Sequence, residues 1–492
     1  MSKYEENITL PNGKTVKAYT GLFINNEFVD SVDCKRFETI NPATGQVITS
    51  VVEASEKDVD IAVEAATKAF NEKWIYIGGQ ERGRLINKLA DLIERDTDEL
   101  AALESLDNGK ACTIAKSEDL PAVIAVFRYF AGWCDKIHGK VIETQTDKFC
   151  YTRHEPIGVC GAIIPWNYPL LMLAWKLGPA LACGNAVVLK SSELTPLTAL
   201  KVAALFREAG FPKGVVNILS GFGSPAGSAI AHHMKIDKVA FTGRSILKAS
   251  ADSNLKKVSL ELGGKSPNII FADSDLEDAV KWSYQGIFSN HGQCCCAGSR
   301  VYVEDSIYDK FVEKFKVYAE NLKVGDPFHE DTFQGPQVSQ RQFDRIMSYI
   351  ESGKKEGATL LLGGKRHGDK GYFICPTIFT DVNENMKIMQ EEIFGPVVAI
   401  AKFKTVDEVI EKAHLTKYGL AAAVFTKDIS RAIKVSNALR AGTVWVNCYN
   451  VVNANAPFGG FKESGFGREL GKYALELYTQ VKTVQINLEC QK

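Results

Sequence analysis

Residues 288–300 read FSNHGQCCCAGSR, with three consecutive cysteines, Cys294, Cys295 and Cys296, between Gly292 and Gly298. Small neighbours let a backbone turn sharply and let a ligand come close to it. A thiol held there faces a substrate instead of filling a core. Upstream, residues 260–267 read LELGGKSP, which sets an acid, Glu261, directly before two glycines. A nucleophilic thiol and a separate carboxylate suit covalent catalysis, in which the thiol attacks and the acid later activates water. An ordinary thiol, with a pKa of about 8.5, is only a few per cent thiolate at neutral pH, so a nearby base or cation has to raise that fraction.

Around these two runs the composition is that of a soluble globular protein. The 492 residues are 45% hydrophobic and 24% charged, with a net charge of -1, and that length suits two to four domains. Balanced charge gives no reason to expect a nucleic acid or a membrane surface as partner. The sequence has no apolar run of about 18 residues, so no transmembrane helix is expected. The opening MSKYEENITLPNGK carries early acids and no apolar core, unlike a secretory or transit peptide, which favours the cytoplasm. Twelve cysteines lack regular spacing. Only residues 294–296 cluster, and adjacent cysteines do not make a metal site, so no metal is expected.

Outward from this centre the pattern is α/β. Residues 21–30, GLFINNEFVD, alternate about Asn25-Asn26 as a hairpin does. Ser55 reads as the cap of a helix carrying Val59, Ala62, Val63, Ala66 and Phe70 at helical spacing, and further apolar helices are expected over 82–95 and 121–136. From residue 158, strands over 158–164, 186–190, 214–219 and 236–242 alternate with helices over 170–181 and 195–209. That alternation predicts a parallel sheet with helices on both faces, suited to a dinucleotide. A second α/β region follows over 262–471, with strands at 266–271, 300–304, 397–403, 421–425 and 442–447. Residues 141–154 are more polar and β-prone. Taken alone they read as a surface loop.

The two central runs, together with PWNYP (165–169), EEIFGPV (391–397) and PFGGFKESGFGREL (457–470), resemble the NAD(P)-dependent aldehyde dehydrogenases. The similarity is to the cytosolic and mitochondrial acetaldehyde/retinal type and its fungal members. It spans residues 22–483 in the family's own order. The resemblance implies an aldehyde dehydrogenase-like fold: two doubly wound parallel-sheet domains plus a small β oligomerisation element. Residues 8–136 with 157–261 would form the NAD-binding domain, 262–471 the catalytic domain, and 137–156 with 472–492 the hairpin and strand of a homotetramer interface.

The resemblance also assigns roles. In the family's G-Q-x-C pattern the reactive thiol is the fourth position, here Cys295. Glu261 would activate the water that hydrolyses the thioester, and burial would raise its pKa towards neutrality. Asn167 and the Cys295 backbone N–H would form the oxyanion site. Lys176 and Glu469 match proton-relay positions, although as single charges they equally suit a solvated surface. Tyr168, Leu171, Met172, Trp175 and Phe458 match an apolar substrate tunnel, and their spacing equally suits a core face. A small apolar aldehyde is the implied substrate. For the cofactor, Lys190 and Glu193 follow a strand, where an acid accepts hydrogen bonds from ribose hydroxyls and repels a 2′-phosphate, favouring NAD over NADP. Glu392 and Phe394 match holders of the nicotinamide ribose. Ile164, Pro165, Trp166, Phe241, Gly243 and Leu262 complete the implied site. Gly223 stands in GFGSPAG (221–227), a weak imitation of the dinucleotide fingerprint that lies near the adenine end in the family.

One stretch departs from the family. Its pattern after the strand at 239–241 is F-T-G-S-T-x-x-G, whereas this sequence reads FTGRSILKAS over 241–250, about five residues shorter. A loss of five residues removes more than one helical turn and swings the apolar face by roughly 140°. Arg244 or Ser245 would have to take over the phosphate contact. Two further readings follow. One is a folded relative with impaired NAD binding; the other is an NAD-independent thiol esterase.

Overall fold

The computed structural model describes residues 3–241 and 245–488. Gly243 and Arg244 lie outside the described residues, as does the side chain of Ser245. The fold is built on two large sheets. Across the first, the strands run Gly465–Phe466, Lys257–Glu261, Lys238–Phe241, Val159–Ile163, Ala186–Lys190, Val216–Leu219, Leu22–Ile24 and Glu27–Val29. Across the second they run Thr359–Leu362, Thr377–Thr380, Val397–Phe403, Arg300–Glu304, Pro267–Ile270, Ala421–Phe425 and Thr443–Val446. The interior strands are parallel, as the alternating pattern predicts. Towards the margins three strands are not: Leu22–Ile24 and Gly465–Phe466 join the first sheet antiparallel, and Thr359–Leu362 joins the second antiparallel. The sheets are therefore mixed, because short hairpins and a returning C-terminal segment close edges that no crossover helix reaches.

Interior strands such as Ala186–Lys190, buried throughout, read as continuous apolar runs because helices cover both faces. On one face of the first sheet, Val59, Ala62, Val63 and Ala66 of the helix Glu56–Glu72 pack on Val159, Ile163, Val188 and Val239. Each buried valine or isoleucine contributes about 1.5–3 kcal/mol of transfer free energy, and each alanine less. On the other face, the helices Pro169–Ala182, Leu197–Ala209 and Leu120–Ala131 join the large core that runs on towards the second sheet. The helix expected over 121–136 ends at Ala131, and turns follow. A helix not expected from the sequence, Thr97–Asn108, is buried continuously from Leu100 to Asn108. With no polar face it shows no amphipathic stripe, which is why periodicity misses it. The hairpin about Asn25-Asn26 forms as expected, both residues taking left-handed φ of 54° and 64°.

Residues 141–154 are not a loop. Val141–Ile142, Lys148–Pro156 and Thr479–Asn487 make a separate three-stranded sheet. After the first-sheet strand Lys238–Phe241, a helix runs Ser245–Ala251 and packs Ile246 and Ala249 into the core. No helix among the described residues is long and apolar enough to cross a membrane.

The helix Glu56–Glu72 is tied down at its start by one carboxylate. Asp58, 1% exposed, accepts hydrogen bonds from Ser55 N (2.8 Å), Ser55 Oγ (2.7 Å) and Val32 N (2.9 Å). Asp58→Ala leaves those donors unpaired and is expected to cost about 2 kcal/mol. The measurement is the urea midpoint of unfolding, and an unchanged midpoint would refute the cap.

Candidate active site

Glu261 is the last residue of its strand, at the carboxyl edge of the first sheet. Residues 262–266 then lead directly into the second sheet at Pro267. The passage is tight. A Cβ on Gly263 would lie 2.2 Å from Glu392 Oε2, and one on Gly264 would lie 2.5 Å from the backbone oxygen of Cys295. Only glycine lets the acid, the thiol loop and Glu392 share this space. Ser464, fully buried, pins the passage by donating to Gly263 O (2.7 Å) and accepting from Gly419 N (2.9 Å).

The thiol loop follows the helix Leu276–Phe288. Asn290, His291 and Gly292 all take left-handed φ, at 49°, 61° and 71°. The chain then emerges with Cys294 and Cys296 buried and Cys295 partly exposed. Cys294 and Cys296 lie side by side, Sγ to Sγ 3.5 Å, and Cys296 also meets Asn450 Oδ1 at 3.2 Å. The Tyr449 hydroxyl donates to Cys296 O at 2.7 Å. The central thiol is thus the one presented outward, its neighbours being held inward.

The Cys295 thiol and the Glu261 carboxyl are close enough to shift each other's titration. The adjoining Cys294 and Cys296 thiols, burial and the facing carboxylate together push the Cys295 thiol upward. Glu261 is 5% exposed, and its Oε1 has no hydrogen-bond partner. Burial raises its pKa to about 7, opposed by the Cys295 thiol and the positive charge of Lys176, and assisted by Glu469 and Glu392.

Lys176 and Glu469 are not solvated charges. They form a direct ion pair, 2% and 5% exposed at their side chains, and Glu469 Oε2 is left unpartnered. Asn167 is buried beside the thiol loop, its Nδ2 donating to Gln293 O at 3.1 Å. The backbone N–H of Cys295 donates to no backbone carbonyl among the described residues. Met172, Trp175 and Phe458 are buried in the same apolar cluster as Cys294 and Cys296. Tyr168, Leu171 and Cys295 pack against it partly exposed. Trp175 and Phe458 meet edge to face at 5.3 Å, and Trp175 Nε1 has no partner. Tyr168 carries Lys110 Nζ over its ring at 4.1 Å. Lys110 is paired with the buried Asp119.

The dinucleotide candidates gather at the carboxyl edge of the first sheet. Lys190 ends its strand and donates from Nζ to Ser191 O and Gly221 O, both at 2.7 Å, with Glu193 at 3.8 Å. Burial lowers the Lys190 pKa to about 8. Ile164 is buried, whereas Pro165 and Trp166 are half-buried directly after the strand Val159–Ile163. Phe241 ends its own strand and Leu262 follows Glu261. Trp166 meets Phe394 edge to face at 5.2 Å, and Phe394 holds a left-handed φ of 62°. That conformation is unusual for a bulky residue and clusters at ligand sites. Glu392 accepts from Gly264 N at 3.0 Å and, with a pKa raised to about 7 by burial, lies against Gly263. Gly223 is exposed, with open space where a Cβ would stand. A carboxyl resting on a bare glycine, an aromatic with left-handed φ and a partly exposed acid just beyond a strand end fit a dinucleotide. The Gly243 candidate is outside the described residues.

Two residues given no role from the sequence also belong to this centre. Asn108 Nδ2 donates to Trp166 O at 2.7 Å, and Asn290 Nδ2 donates to Asn167 O at 2.9 Å and Gln293 O at 3.0 Å. Asn108 lies 59 residues before Asn167, beyond any local spacing rule.

A sequence model described as the aldehyde dehydrogenase family matches residues 28–484. An aldehyde dehydrogenase of Emericella nidulans is 64% identical over 95% of each chain. The mitochondrial aldehyde dehydrogenase of Mesocricetus auratus is 57% identical over 98% of each. A solved NAD+ complex of the Bacillus cereus aldehyde dehydrogenase superposes with a TM-score of 0.94 at 53% identity, covering 96% of this chain and 97% of that one. The chain belongs to the aldehyde dehydrogenase family, whose members oxidise aldehydes to carboxylic acids with NAD(P).

Proposed function

We propose that this protein oxidises a small apolar aldehyde to its carboxylic acid with NAD, using Cys295 as nucleophile and Glu261 as base. The observation that carries the reading is the partly exposed Cys295 thiol set against a buried carboxyl with one unpartnered oxygen and a pKa of about 7. Cys295 gives up its proton to solvent, and the thiolate adds to the aldehyde carbonyl. Asn167 Nδ2 and the Cys295 N–H donate to the resulting oxyanion of the hemithioacetal. Bound NAD supplies the hydride acceptor, and its positive charge favours the thiolate. Glu261 then removes a proton from the water that attacks the Cys295 thioester, releasing the acid. Lys176 and Glu469, both felt by Glu261, carry that proton outward.

Glu193 would hold the adenosine ribose and repel a 2′-phosphate, supporting NAD over NADP. Lys190 would steady that ribose, while Trp166, Glu392 and Phe394 would hold the nicotinamide end. The apolar cluster of Leu171, Met172, Trp175 and Phe458 supports an apolar substrate. The sheet of Lys148–Pro156 and Thr479–Asn487 keeps Phe149, Val481 and Ile486 exposed, which supports a homotetramer built through it. Free thiols throughout the described residues suit the cytoplasm.

Variant kinetics, NAD titration and a pH profile check this reading. Cys295→Ala abolishes aldehyde oxidation. Glu261→Gln gives a burst of NADH followed by turnover slower by at least ~100-fold. A steady rate equal to wild type in either variant sinks the assignment. NAD titration by calorimetry shows saturable micromolar binding, whereas its absence at millimolar NAD would favour the cofactor-impaired relative. Ester hydrolysis through Cys295 rises with pH through about 7 as Glu261 ionises. Glu469→Gln removes a negative neighbour that raises this pKa, so the rising limb moves to lower pH. A limb that does not move separates Glu469 from the base.

A further inference from the structure

We infer that Asn290 is a positioning residue that staples together the two donors of the oxyanion site, an inference that rests on the acyl-transfer role of Cys295. The staple is one side-chain amide. Asn290 Nδ2 donates to the carbonyl of Asn167 at 2.9 Å and to that of Gln293 at 3.0 Å. Asn167 Nδ2 donates to the same Gln293 carbonyl at 3.1 Å. Gln293 O therefore receives two amides, one from each side of the site. Of the two hydrogens on Asn167 Nδ2, one is spent on this carbonyl and the other is left for the oxyanion. The Gln293 carbonyl lies two residues before the Cys295 N–H, the second donor. Fixing that carbonyl to Asn167 fixes the separation of the two donors, and an oxyanion needs both within about 2.7–3.1 Å.

The backbone supplies an independent reason for a clamp. Asn290, His291 and Gly292 are three successive left-handed residues. Left-handed conformation costs roughly 1–2 kcal/mol for each non-glycine residue. Gly292 is obligatory, since a Cβ there would lie 2.0 Å from Gly395 O. Such a turn persists only where the surroundings over-determine it. The buried amide of Asn290, 6% exposed, is aimed by both of its acceptors. Gln293 adds a second hold, its Oε1 accepting from Val338 N at 3.0 Å. Asparagine is among the few residues that tolerate this φ, and the only property it adds over glycine here is the amide.

The test uses Asn290→Gly, which keeps the backbone conformation, and Asn290→Asp, which keeps the shape but replaces the donating NH2 with an acceptor. Three rates are compared with wild type: aldehyde oxidation with NAD, hydrolysis of p-nitrophenyl acetate, and alkylation of Cys295 by iodoacetamide. Alkylation displaces iodide from carbon and develops no oxyanion, so it reports the thiol without the donors. The expected result is an about 10- to 100-fold loss of kcat in both acyl-transfer reactions, with alkylation rate and NAD affinity within twofold of wild type. Acyl transfer within twofold of wild type in both variants overturns the staple. Alkylation or NAD affinity falling in parallel overturns it too, because that marks a general collapse of the loop. If wild-type protein hydrolyses the ester but oxidises no aldehyde, the proposed function fails while the ester rates still decide the staple. If it does neither, both fall.

Discussion

The site depends on how closely two sheets can be brought together by five residues. Glu261 ends a strand of one sheet, Pro267 begins a strand of the other, and Gly263 and Gly264 lie between them. Both glycines are in contact range of groups that belong to the chemistry, Glu392 on one side and the Cys295 backbone on the other. The constraint is steric rather than conformational, since neither glycine needs a left-handed φ. A methyl group at either position would push the acid away from the thiol loop. Ser464 then fixes the passage by bonding to it from a segment that has returned to the edge of the first sheet.

Once the sheets are so placed, electrostatics follows from burial. A carboxyl sealed among apolar groups prefers its neutral form, and Glu261 moves up to about 7 for that reason. The nearby Lys176–Glu469 pair has no net charge, so its effects on Glu261 oppose each other. Breaking a buried pair leaves an uncompensated charge and is strongly unfavourable. The pair is therefore a fixed dipole beside the base, set by Lys176 on the helix Pro169–Ala182 and by Glu469 next to Phe458, with which it exchanges backbone hydrogen bonds.

Much of this was legible in the sequence, for definite reasons. The strands at 300–304, 397–403 and 421–425 are apolar runs bounded by turns, and they fall where the pattern puts them. The thiol could be picked out because its two glycine neighbours flag a loop, and the family pattern decided which of three cysteines to choose. The strands at 359–362 and 377–380 are only four residues each, too short for alternation to speak. The partnership of Lys176 and Glu469 could not be read, because 293 residues separate them. Nor could the left-handed turn at 290–291, because neither asparagine nor histidine announces a positive φ as glycine does.

The three-stranded sheet has a consequence for how the chain is made. Lys148–Pro156 pairs along its whole length with Thr479–Asn487. Its partner follows late, Thr479 being made 325 residues after His154. Lys176 likewise waits 293 residues for Glu469. At about 5–20 residues per second, that wait lasts on the order of 15–60 s. During that time an unpaired edge and a buried-type lysine stand open, and such edges recruit other chains. The three-stranded sheet is begun by Val141–Ile142 and closed only by Thr479–Asn487, so its open edge faces other nascent chains until then.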